Sequence, residues 1–246
     1  AVSSGTLALD VDASRVANAL SVLGNAGANV LTGTAYADRL DGGAGADRLI
    51  GGGGADTLIG GAGNDVYVVD SGDAIIEAST LASEIDRVES YVDWILGANL
   101  ENLTLLGTGN LAGTGNALNN TLTGNAGANR LDGGQGADIL LGGAGDDRYV
   151  VDNLGDKVYE TTTSTSQYDA GGTDTVESSV NWTLGNFVEN LTLTGSGNLL
   201  VDALAGMATW AEENSEQIGK VVDAVVTTAK NIGDALIPVI RLLWTV

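Results

Sequence analysis

The sequence predicts an all-β fold of stacked parallel coils, followed by one amphipathic α-helix at the C-terminal end. Two tracts keep an unbroken nine-residue period, and fixed short periods mark repeat architectures. Short β-branched runs alternate with Gly and Asn throughout both tracts and the stretches after them, as strands and turns do. The 246 residues include 37 Gly but one Pro and one Phe, too unusual a mixture for a conventional packed core.

Residues 1–23 read as an N-terminal strand and capping segment, with residues 16–23 resembling the frayed end of a preceding coil. The first tract, residues 24–68, contains five units: GNAGANVLT, GTAYADRLD, GGAGADRLI, GGGGADTLI and GGAGNDVYV. The stretch that follows includes VYVVDSGDAIIE and DRVESYVDWILGANLENLTLLGTGN, completing a first superunit over 24–114. The second tract, residues 115–150, contains GNALNNTLT, GNAGANRLD, GGQGADILL and GGAGDDRYV. Its sequel, RYVVDNLGDKVYE and DTVESSVNWTLGNFVENLTLTGSGN, repeats the first and completes a second superunit over 115–200. Residues 201–246 differ in character. Ile218, Val221, Val222, Val225, Val226, Ala229, Ile232, Leu236, Ile240 and Leu243 recur at helical spacing, so one amphipathic helix is expected over about 208–243, kinked near Pro238.

Position six of the units is Asn29, Asp38, Asp47, Asp56 and Asp65 in the first tract, and Asn120, Asn129, Asp138 and Asp147 in the second. Position eight is Leu except in the last unit of each tract, where it is Tyr67 or Tyr149. Acidity and apolarity therefore hold separate, fixed phases.

With 32 acidic against 10 basic residues, the formal charge is −22. Such a surface repels nucleic-acid phosphates and anionic membranes and attracts cations. The absence of Cys and His excludes disulfides, thiolate or imidazole metal ligation and any His-based triad. Oxygen is the remaining ligand type, and it suits Ca²⁺ or Mg²⁺. The chain has no 18-residue uncharged apolar run, and residues 1–4 lack the layout of a cleaved signal peptide.

Burying one large apolar side chain per unit is worth about 1.5–3 kcal/mol. Ordering the backbone costs about 1–2 kcal/mol for each of its nine residues, and more for glycine, so apolar burial alone does not fold the repeat. If two units make one coil, residues 18 apart stack, placing Asp38 over Asp56 and Asp47 over Asp65. At an effective dielectric of about 20, such stacked carboxylates repel by roughly 3–4 kcal/mol. A divalent cation between them reverses the sign, and folding and metal binding become one event.

Residues 42–50, 51–59, 60–68, 133–141 and 142–150 follow the pattern GGxGxDxUx almost letter for letter, and the chain here resembles the RTX (repeats-in-toxin) family. The resemblance covers the two tracts by strict motif and extends through the VENLTL-type stretches to about residues 16–198. It implies a right-handed parallel β-roll, or β-helix solenoid, in which six residues form a calcium turn and three a strand. It also implies several Ca²⁺ ions, held by side chains of Asp38, Asp47, Asp56, Asp65, Asp138 and Asp147 with carbonyls of the turns that begin at Gly42, Gly51, Gly60, Gly133 and Gly142. Asn29, Asn120 and Asn129 depart from the family Asp, and position two is Asn or Thr in the outer units, so these edge sites are expected to be weaker or empty.

Asp70, Asp73 and Glu77, with Asp152, Asp156 and Glu160, read as solvated loop carboxylates. Asp86/Glu89 and Asp174/Glu177 recur identically in both copies and read as structural rather than as a glycosidase pair. Trp94 and Trp182 read as core. The resemblance implies a secreted or cell-surface, non-enzymatic module, exported by type I secretion machinery without a nucleic-acid partner. Two alternatives are the C-terminal part of an exported lipase, protease or epimerase with its catalytic domain elsewhere, and a surface-layer or adhesin module. The C-terminal helix is expected to serve as a cap, a secretion signal or a self-association element.

Overall fold

The computed structural model describes residues 5–161 and 170–194, all of them within the first of two compact units, Ala1–Gly197 and Asn198–Val246. The helix expected over 208–243 lies outside the described residues. The described chain is all-β, with short strands in three parallel sheets of nine, six and four strands.

The last three residues of each nonapeptide form the strand core, and successive units alternate between sheets. Val30–Thr32, Arg48–Ile50 and Val66–Val69 stack in the nine-stranded sheet, whereas Arg39–Ala44 and Thr57–Ala62 stack in the four-stranded one. Parallel pairing sets Leu31 beside Leu49, Leu49 beside Tyr67, and Leu40 beside Leu58. The expected 18-residue stacking is therefore the register of the structure.

Because strand side chains alternate in direction, only the middle residue of each triplet points inward. Leu40, Leu49, Leu58, Tyr67, Leu122, Leu131, Leu140 and Tyr149 are all fully buried, while their neighbours in the strand triplets, apart from the buried Leu141, are half-buried or exposed. The interior is thus a narrow apolar column, and the turns carry the polar chemistry.

The stretches between tracts continue this column. Val88 pairs with Tyr67, Leu103 with Val88, and Leu122 with Leu103, so the nine-stranded sheet passes through residue 114 without a break. In the second copy Val176 pairs with Tyr149, and Leu191 with Val176. Trp94 and Trp182 pack against the same core, as expected.

Position-two and position-four glycines of the interior turns adopt a left-handed backbone, as at Gly61 (φ 104°) and Gly63 (φ 124°). A Cβ at Gly61 would lie 2.0 Å from the Gly43 carbonyl oxygen one coil away. Glycine is required there both by the backbone angle and by close stacking of the coils.

Candidate metal centre

Every position-six aspartate uses one oxygen to hold the coil that precedes it. Oδ1 of Asp47, Asp56 and Asp65 accepts the backbone N–H of Asn29, Asp38 and Asp47, at 2.6, 2.7 and 2.8 Å. Asp138 and Asp147 accept from Asn120 and Asn129, at 2.7 and 2.8 Å. The ladder runs past each tract. Asp86 accepts from Asp65 and Glu101 from Asp86, while Asp174 accepts from Asp147 and Glu189 from Asp174.

The second oxygen separates two kinds of turn. In the outer units, where position two is Asn or Thr, the N–H of that residue donates to the position-six side chain. Asn25 donates to Asn29, Thr34 to Asp38, Asn116 to Asn120 and Asn125 to Asn129. In the five Gly-Gly units, Oδ2 of Asp47, Asp56, Asp65, Asp138 and Asp147 is buried and has no hydrogen-bond partner. These oxygens press over the first glycine of their own turn. A Cβ on Gly42, Gly51, Gly60, Gly133 or Gly142 would meet the corresponding Oδ2 at 2.2–2.3 Å.

A buried, unpaired charged oxygen is destabilising by more than an ordinary unmet hydrogen bond. Burial raises the carboxyls of Asp47 and Asp56 to about 6, and those of Asp65, Asp138 and Asp147 to about 7. The backbone N–H bonds oppose this rise, and neighbouring carboxylates add to it. The donors are all oxygen, several are anionic, and turn carbonyls lie close by, so the residues fit a calcium-type cation.

The asparagines achieve the same balance without charge. Asn120 Nδ2 donates to the carbonyls of Leu100 and Glu101, and Asn129 Nδ2 to Leu111 O and Asn125 Oδ1. The amide NH₂ thus ties each asparagine to backbone carbonyls of the preceding coil, with no charge to balance. Asp38 also differs from the other five aspartates, because both its oxygens accept backbone N–H groups, from Leu20 and Thr34.

The reading of Asp73, Glu77, Asp156 and Glu160 as solvated loop carboxylates is corrected. Asp73 and Asp156 continue the ladder by accepting from Asp56 and Asp138, and Asp156 and Glu160 are buried. Asp152 is exposed and Asp70 is half-buried. Two clusters of three carboxylates close the tracts, Asp65/Glu77/Asp86 and Asp147/Glu160/Asp174, each with ligand atoms within 4.8 Å of one another. Burial and its acidic neighbours push Glu160 up to about 9. In contrast, Glu89 forms outward ion pairs with Arg48 and Arg87, and Glu177 pairs with Arg148, as befits structural residues.

A parallel solenoid whose glycine turns present buried, unpaired carboxylate oxygens defines a cation-binding repeat protein. Residues 23–58, 41–76 and 114–149 each match the RTX calcium-binding nonapeptide repeat (four copies), so these stretches of the chain carry RTX repeats. The repeats make this chain a structural calcium-binding module. No curated protein matches the chain.

Proposed function

We propose that the chain is a non-enzymatic module of an exported protein, in which calcium is a structural component and folding follows ion binding. In calcium-poor surroundings its repeats are disordered, compatible with passage through type I secretion machinery, and they coil on reaching extracellular calcium. The observation that carries this reading is the set of five buried Oδ2 atoms without partners, one in each Gly-Gly turn. Without a cation those charges oppose the fold; with one they hold successive turns together. The formal charge of −22 adds general repulsion that bound divalent ions relieve.

Limited proteolysis of the full chain in EDTA and in millimolar calcium tests this. Cleavage throughout residues 24–194 in EDTA and protection of the same span in calcium are expected. Equal protection in both would contradict the coupling of folding to calcium.

A further inference from the structure

Position eight changes from leucine to tyrosine in the last unit of each tract. Tyr67 stacks on Leu49 and Tyr149 on Leu131, in the same fully buried columns. Tyrosine adds a hydroxyl, and each hydroxyl reaches a glutamate beyond the repeat. Tyr67 donates to Glu77 Oε2 at 2.6 Å and Tyr149 to Glu160 Oε1 at 2.5 Å. Tyr67 Oη and Asp65 Oδ2 converge over Gly60, where an added Cβ would meet them at 2.1 and 2.2 Å. Tyr149 Oη and Asp147 Oδ2 converge over Gly142 in the same way.

We infer that each tract ends in a divalent-cation site that joins the position-six aspartate of its last glycine turn to carboxylates beyond the repeat, where calcium is held by Asp65, Glu77 and Asp86 in the first copy and by Asp147, Glu160 and Asp174 in the second. The inference rests on the calcium reading and extends it to four carboxylates, Glu77, Asp86, Glu160 and Asp174, that lie outside the matched repeat residues.

Three observations support it independently of the repeat motif. Asp65, Asp147, Glu160 and Asp174 are each no more than 2 % exposed; Oδ2 of Asp65 and of Asp147 has no hydrogen-bond partner, and Glu160 and Asp174 meet side chain to side chain within their cluster. Among the described residues, no Lys or Arg ion pair reaches any of the six carboxylates. The two copies also build the cluster across different chain lengths: Glu77 precedes Asp86 by nine residues, whereas Glu160 precedes Asp174 by fourteen. The same three-carboxylate geometry survives a change of loop length that would dissolve an incidental proximity.

Isothermal titration of the full chain with calcium, comparing wild type with the double variant Glu77→Gln/Glu160→Gln, tests the assignment. Glutamine keeps an acceptor for each tyrosine hydroxyl and removes the charge. The variant is expected to bind two fewer ions at saturation while retaining the ions of the other glycine turns and the calcium-induced β-signal. Wild-type stoichiometry in the variant would overturn the closing sites and leave the calcium module standing, whereas a wild type that binds no calcium would overturn both. A second readout is tyrosine-sensitised Tb³⁺ luminescence, which covers a variant that fails to fold. Tyr67→Phe/Tyr149→Phe is expected to lose most of the tyrosine-excited emission, and undiminished emission would place the ion elsewhere and overturn the assignment.

Discussion

At the scale of single residues, position two of the nonapeptide decides what position six can do. Thr34 and Asp38 make the case, since the Thr34 N–H occupies the oxygen that Asp47 and Asp56 leave open. Glycine at position two takes a left-handed backbone, as at Gly43 and Gly52, and in those turns no N–H reaches Oδ2. Thr34→Gly is therefore expected to let the turn adopt that conformation, free Asp38 Oδ2 and add one calcium ion to the titrated stoichiometry; an unchanged count would sink this rule. Backbone demands are equally local. Gly61→Ala forces a left-handed alanine, unfavourable by about 1–2 kcal/mol, and sets a methyl 2.0 Å from the Gly43 carbonyl. Gly53→Ala meets nothing closer than Ala35 Cα at 3.7 Å. In saturating calcium the first should lower stability by more than about 2 kcal/mol and the second by less than about 0.5 kcal/mol, read from thermal melts. Equal melts would show that the turn tolerates a side chain. The acidic phase of the repeat was legible in the sequence, whereas the occupation of both Asp38 oxygens by backbone N–H groups was not, because it depends in part on an N–H four residues earlier.

At the scale of elements, every coil contributes one or two inward side chains, whether or not it belongs to a nonapeptide. Leu58 in the first tract and Leu103 in the spacer are both fully buried in one continuous core. Leu58→Ala and Leu103→Ala are accordingly expected to lose similar stability, about 2–5 kcal/mol each. If calorimetry found Leu103→Ala neutral, the spacers would be appendages rather than coils of the solenoid. The 18-residue coil could be read from the period alone. The spacer registers could not, because the ladder bond from Asp65 to Asp86 spans 21 residues, that from Asp86 to Glu101 spans 15, and that from Asp147 to Asp174 spans 27. For the same reason Glu77 and Asp86 gave no motif: their approach is made by coil stacking across an irregular loop, and spacing along the chain does not encode it.

At the scale of the whole molecule, the fold is an array of carboxylates that must be neutralised together. The buried aspartates of the Gly-Gly turns sit at about 6 to 7 in the folded state, above the roughly 4 of an unfolded chain. The calcium-free folded form therefore binds more protons than the unfolded one. Its stability is full below about pH 4 and is lost as pH rises through 6 to 7. In EDTA, β-structure measured by far-ultraviolet circular dichroism should accordingly increase from pH 8 to pH 5. The calcium midpoint should move to higher concentration over the same interval, because protons and calcium compete for the same oxygens. A loss of β-signal on acidification in EDTA would reverse this assignment.

The most direct test of the central claim is a single calcium titration at pH 8 in which bound calcium and far-ultraviolet circular dichroism are recorded on the same sample. Coincident rise of the two signals from a coil-like starting spectrum is predicted. A full β-spectrum before any calcium is bound would contradict the account.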